Sequence, residues 1–194
     1  MQPELWDYTR RRLTLLLDPG RIKRGLAPNQ ERGYPLQERV PIVVAVDRSF
    51  RDASGLPLVA GMERRYEDVP AVRQHIRPSA WRLRRPAAGS TDAVAVAFDR
   101  PLDRALLEHS LVVLDPHGSA LDGQATIAEG ERSWRFRPLR RWRPEPYCLA
   151  VDSRLEDLAG NSLTRVFDRD LTRPEDTPVD IERALIEFYP RQGR

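Results

Sequence analysis

The sequence predicts an all-β chain of antiparallel strands, closed as a sandwich or a barrel, on three observations. Short apolar runs recur along the 194 residues with Gly, Pro, Asn and Asp between them, the spacing of strands joined by turns. The 17 prolines are spread over the whole length; helix interiors exclude proline while turns and edge strands accept it, which argues against a helical bundle. Finally, one strand-turn-strand pattern occurs twice at a fixed offset.

In chain order the runs are residues 13–17, 42–46, 81–83, 93–98, 111–114, 125–127, 133–136, 147–151 and 163–167. Within 93–98, Val94, Val96 and Phe98 alternate with alanines, the period of a sheet with one face on the core and one in water. The run 111–114 stops at Asp115, Pro116, His117 and Gly118. Two segments read as helix. Residues 103–108 begin at Asp103, a good N-cap. Residues 179–188 carry Ile181, Leu185 and Phe188 at helical spacing, with Asp180 near their start. Residues 66–80 contain Asp68, Pro70, His75 and Pro78 and read as a linker or irregular crossover.

The repeat aligns without a gap at an offset of 105 residues: Asp47 with Asp152, Asp52 with Asp157, Gly55 with Gly160 and Leu58 with Leu163. The apolar positions before each copy align too, Ile42, Val44 and Val46 against Tyr147, Leu149 and Val151. Physically, a strand ends at the first Asp and the second Asp opens a turn by accepting backbone N–H bonds. The Gly supplies a positive φ, and the Leu starts a return strand. A full set of strands precedes the second copy, whereas only residues 13–17 precede the first. Residues 1–70 are therefore expected to be the C-terminal part of an incomplete first module, with 71–80 a linker, 81–172 a complete module and 173–194 a tail in helical form.

Charge separates few function classes. The 32 basic residues include a single lysine, Lys23, and are interleaved with 29 acids for a net charge of +3. That is the balance of a mixed-charge solvated surface, which disfavours nucleic acid as a partner. Cys148 is the only cysteine and makes no intramolecular disulfide. No apolar run reaches the length of a membrane span. The opening residues, Met1 to Asp7, show neither a basic n-region nor an apolar h-region, so an export signal is expected upstream of this chain.

Four segments in order resemble the SbsA-type bacterial immunoglobulin-like domain. Residues 94–103, from Val94 through Phe98, Pro101 and Asp103, resemble its "v-x-F-s-x-P-l-d" opening, and Trp134, Phe136 and Pro138 its "t-x-t-f-x-P" segment. Tyr147, Leu149 and Val151 resemble its "Y-x-v-x-v" strand. Asp157, Ala159, Gly160, Asn161 and Leu163 resemble its "D-x-a-G-N-x-L" closing turn. The similarity covers 81–171 as a whole domain and 13–66 as the end of another. In the earlier copy, Ser54-Gly55-Leu56 stands where the family has Gly-Asn, and Ile42 where it has Tyr. The resemblance implies an immunoglobulin-like antiparallel β-sandwich, one complete module plus a partial one. It implies a spacer or adhesion-type segment, with no reaction of its own, in a bacterial cell-envelope or secreted protein, extracytoplasmic in its parent.

Asp152, Glu156, Asp157 and Asn161 offer hard oxygens of the kind calcium takes, but without an EF-hand pattern, and a structural turn is the simpler reading. His75, His109 and His117 show no zinc-ligand spacing, and Cys148 reads as a quiet strand thiol. The nucleophile-elbow, zinc-protease and phosphate-loop signatures are all missing from the sequence, and Glu129 and Glu131 read as loop surface. Arg10, Arg11 and Arg12, then Arg82, Arg84 and Arg85, then Arg135, Arg137, Arg140, Arg141 and Arg143 form basic clusters, the last among Trp134, Phe136 and Trp142. On an alternating strand Trp134 and Phe136 point inward and Arg135 and Arg137 outward. The loop 19–35, with Arg21, Lys23, Arg24, Asn29 and Tyr34, is the long loop to watch for binding. The expectation is thus no catalytic, cofactor-binding or metal-ligating residue and no cofactor. The expected partners are other domains or envelope proteins, with polysaccharide a further candidate. The alternative reading is a carbohydrate- or calcium-binding accessory module of a larger envelope enzyme.

Overall fold

The computed structural model describes residues 17–37, 39–51, 54–67 and 70–192. Residues 13–16 of the expected strand 13–17, the cluster Arg10–Arg12 and Asp52 lie outside the described residues. The chain forms two compact units, one ending at Val72 and the other running from Arg73.

In the unit ending at Val72, two short helices, α1 (Pro19–Ile22) and α2 (Ala27–Arg32), occupy the long loop. Pro28 sits in the first turn of α2, where its missing N–H costs nothing. A hairpin follows, β1 (Ile42–Val46) antiparallel to β2 (Met62–Tyr66), in register from Ile42 opposite Tyr66 to Val46 opposite Met62. Ile42, Val44 and Val46 are half-buried, alternating with exposed Val43 and Ala45; every residue of β2 is exposed.

The unit from Arg73 contains the other seven strands: β3 (Arg82–Arg84), β4 (Val94–Ala97), β5 (Leu111–Leu114), β6 (Gly123–Ile127), β7 (Ser133–Pro138), β8 (Tyr147–Asp152) and β9 (Arg183–Phe188). They form a four-stranded sheet ordered β3-β4-β7-β6 and a three-stranded sheet ordered β5-β8-β9, all antiparallel. Lettered A to G in chain order, this is ABED against CFG, the arrangement of a constant-type immunoglobulin sandwich. A barrel is ruled out because the two sheets stay separate.

The inward positions of both sheets share one core. Val94, Val96, Trp134 and Phe136 come from one sheet, and Leu111, Val113, Tyr147, Leu149, Val151 and Phe188 from the other. Helix α3 (Arg104–Ser110) closes one end with Leu107 fully buried, and its cap is the expected one, Asp103 accepting the Leu106 N–H at 2.9 Å. At the other end Trp142 is buried, donates its indole N–H to the Asp92 carbonyl at 2.7 Å, and meets the Tyr147 ring edge-on at 4.9 Å. The Tyr147 hydroxyl, at the start of β8, accepts the Arg143 backbone N–H at 3.0 Å. That bond is the tyrosine corner of immunoglobulin-like sandwiches.

Three expectations are corrected. Residues 163–167 are not a strand. The side chains of Asn161 and Ser162 consume that segment's backbone donors: Asn161 Oδ1 accepts Phe167 N–H, and Ser162 Oγ accepts Thr164 and Arg165 N–H. Residues 179–188 are not a helical tail. Ala184, Ile186 and Phe188 also alternate by two, and pairing with β8 (Tyr147 opposite Phe188, Asp152 opposite Arg183) selects that period. Nor is 71–80 wholly a linker. Ile76 is buried in the sandwich core, its N–H donates to the Ser162 carbonyl, and Arg73 pairs with Asp168 at 3.2 Å.

Candidate functional site

The most specific sequence signal, the Asp-to-Gly turn after β8, folds as a closed hydrogen-bonded unit. Asp152 caps the strand end, accepting the Arg154 N–H at 2.8 Å, while the Leu155 N–H reaches the Asp152 carbonyl at 3.1 Å. Asp157 is buried. Its Oδ1 accepts from Ala159 N–H, Asn161 N–H and the Asn161 amide; its Oδ2 accepts from that amide and from Arg100 at 3.0 Å. Gly160 sits at φ +77°, and a Cβ there would lie 2.8 Å from the Phe167 ring. Asp157 therefore faces N–H dipoles and one guanidinium, a set that satisfies a carboxylate's oxygens and disfavours a cation beside them. Glu156 stands apart, paired with Arg165 at 3.7 Å; burial pushes its carboxyl above the ordinary value, an effect the nearby Arg165 opposes. Among the described residues no three His, Cys, Asp or Glu side chains converge as metal ligands.

The same local geometry recurs 105 residues earlier. Ser49 N–H donates to Asp47 Oδ1 at 2.7 Å, and Phe50 N–H to the Asp47 carbonyl at 3.0 Å. Isolated bridges join Arg51 to Pro57 and, correspondingly, Glu156 to Ser162. Gly55 has φ +80°, but a Cβ there would meet nothing within 4 Å.

The remaining candidates are scattered. His109 is exposed at the end of α3 and His117 in the turn after β5, while His75 is half-buried with a ring nitrogen 3.3 Å from the Leu163 carbonyl. The His75 Nε2 is buried without a partner beside an open, proline-lined depression of about 530 Å³. Cys148 is half-buried on β8. Glu131 is buried and lies 3.4 Å from Arg104. The loop 19–35 closes on itself, with the Asn29 amide on the Arg21 carbonyl at 2.6 Å and Arg21 on the Arg32 and Gly33 carbonyls.

Of the basic clusters, Arg135 and Arg137 point outward and Trp134 and Phe136 inward, as the alternation of β7 requires. Arg141 is held on the Gly89 carbonyl, and the Arg143 backbone serves the tyrosine corner. Sequence reasoning missed the role of Arg100 as the partner of Asp157; only its place beside Pro101 in the opening motif hinted at a fixed position. It also missed Arg191, which a parallel bridge from Ala87 brings back beside β3.

No protein-family model matches the chain, and no curated protein does. Among solved structures the chain is similar to native alpha-2-macroglobulin from Escherichia coli, spanning domains MG0-NIE-MG1 (12% identity, TM-score 0.36, 57% of this chain and 31% of that one). It is also similar to the S-layer protein SbsC (16% identity, TM-score 0.38, 57% of this chain and 14% of that one), and to the N-terminal part of the same bacterial protein (15% identity, TM-score 0.38, 57% and 23%). The chain thus spans between 14% and 31% of the length of these proteins.

Proposed function

We propose that the chain is a non-catalytic structural or interaction segment of a bacterial cell-envelope or secreted protein, built from immunoglobulin-like modules that act as spacer or adhesion units. The observation that carries this reading is the use of the signature residues. Asp157, Asn161, Arg100 and Tyr147, the polar groups that family-like motifs and burial single out, spend their bonds holding the sandwich. The order of the four SbsA-type segments supports the envelope assignment. The residues up to Val72 are read as the end of a second such module. Support for that comes from β1 and β2, which pair like β8 and β9, and from the matching bonds of Asp47 and Asp152.

Two measurements test the reading. Cell fractionation of the native host, probed with an antibody to this chain, is expected to find it outside the cytoplasmic membrane; a wholly cytosolic signal contradicts the envelope assignment. The segment 73–194 expressed alone is expected to unfold in one cooperative transition, whereas a broad, non-cooperative melt contradicts an autonomous module.

A further inference from the structure

The outer face of the four-stranded sheet has one sign of charge in a chain that is nearly balanced. Its outward positions are Arg82 and Arg84 on β3, Ala95 and Ala97 on β4, Ser133, Arg135 and Arg137 on β7, and Gln124 and Thr126 on β6. None is a carboxylate. The register places Arg84, Ala95, Arg135 and Thr126 in one row across the sheet, and Arg82, Ala97 and Ser133 in the next. The small side chains of β4 thus floor a trough between arginine walls on β3 and β7. Strand geometry sets those walls about 10 Å apart, with the Cα atoms of successive outward arginines about 7 Å apart along each wall. At one end the trough deepens into a depression of about 250 Å³ lined by Arg84, Arg85, Ala95, Arg135 and Arg191, with Asp92 the one acid at its rim. Arg191 is fixed there by its Nε–H on the Arg85 carbonyl at 3.2 Å.

We propose that this trough binds a linear anionic polysaccharide. Guanidinium forks recognise carboxylate, sulfate and phosphate groups bidentately, and two rows of them match a polymer that repeats its anionic group along a strand. The face carries no outward aromatic ring on which bases would stack, which disfavours single-stranded nucleic acid. It carries no large apolar side chain to enter a bilayer interface, which disfavours a membrane surface. The proposal goes beyond the spacer reading and stands on the sheet's own residues, so it holds or fails whatever compartment fractionation reports.

The test is titration of the full chain with polygalacturonate at fixed low salt, with dextran as the neutral control. A thymidylate oligonucleotide and phosphatidylglycerol vesicles serve as competing anions. The double variant R84Q/R135Q is expected to weaken polygalacturonate binding about tenfold or more. R77Q/R169Q removes the same charge away from the trough and should change binding less than about twofold. Should R84Q/R135Q fail to fold, R82Q/R137Q takes its place with the same expectation. The proposal is overturned if the wild-type chain does not bind polygalacturonate, or if the two charge-matched pairs lose affinity equally. It is also overturned if the oligonucleotide or the vesicles bind more tightly at the same salt, which would assign the face to nucleic acid or to a membrane.

Discussion

The turns after β1 and β8 start from the same local instructions and end in different circumstances. Each begins with an Asp whose side chain accepts an N–H two residues on, and each reaches a Gly at positive φ. After β8 the turn is sealed: Asp157, Asn161 and Leu163 are buried, Arg100 lies on the carboxylate, and Phe167 covers Gly160. After β1 the surroundings are open, with Phe50, Leu56 and Val59 exposed. The local sequence sets the conformation of a turn; its energetic weight comes from what packs over it.

That contrast predicts graded effects. Asp157→Ala removes the buried acceptor shared by the half-buried Arg100 guanidinium, the Asn161 amide and two turn N–H groups, and should cost about 3–5 kcal/mol, read by chemical denaturation. A loss near zero would mean that the closing turn is as loosely held as its earlier counterpart. Gly160→Ala forces a Cβ against the Phe167 ring in a left-handed conformation and should cost about 2–4 kcal/mol. Its counterpart Gly55→Ala meets only the backbone penalty, about 1 kcal/mol, so equal losses at the two glycines would mean that the Phe167 ring adds nothing at Gly160.

Tyr147 opens β8, whereas Ile42 opens β1, 105 residues earlier. Tyr147→Phe strands the Arg143 N–H and should cost about 1 kcal/mol. Burial raises the Tyr147 phenol above its ordinary value, so the folded state prefers the neutral ring. Its contribution is complete below the unfolded phenol pKa of about 10 and is lost as pH rises through the higher folded value. A stability profile from neutral to alkaline pH should therefore fall less steeply in Tyr147→Phe than in the wild type; superimposable slopes would remove Tyr147 from the account. The smallest effect is expected at Asp47, which is fully exposed and lies low in pKa because it accepts the Ser49 bonds. Asp47→Ala should leave the melting temperature of the sandwich unchanged.

The sandwich was legible where residues carry both a period and a turn signal. The alternation in 93–98 and 133–136, the Asp103 cap and the inward Trp134 and Phe136 all come from local sequence, and their neighbours reinforce it. Residues 179–188 misled because Ile181, Leu185 and Phe188 fit a helix while Ala184, Ile186 and Phe188 fit a strand, and only the presence of β8 decides between them. Residues 163–167 misled because side chains of Asn161 and Ser162 outcompete a partner strand for the backbone donors. The arginine trough was half visible: the outward Arg135 follows from its strand, but setting Arg84 and Arg191 beside it needs the register of β3 and the return of the chain after β9.

The most direct measurement is native-state hydrogen exchange on the full chain, comparing the amides of Phe50 and Leu155. Both donate to the carbonyl of an Asp three residues back, at 3.0 and 3.1 Å, and they lie 105 positions apart. Leu155 should exchange only through global opening of the sandwich, while Phe50 should exchange through local opening with far lower protection. Equal protection of the two amides would contradict the claim that packing rather than the shared turn sequence separates the two regions.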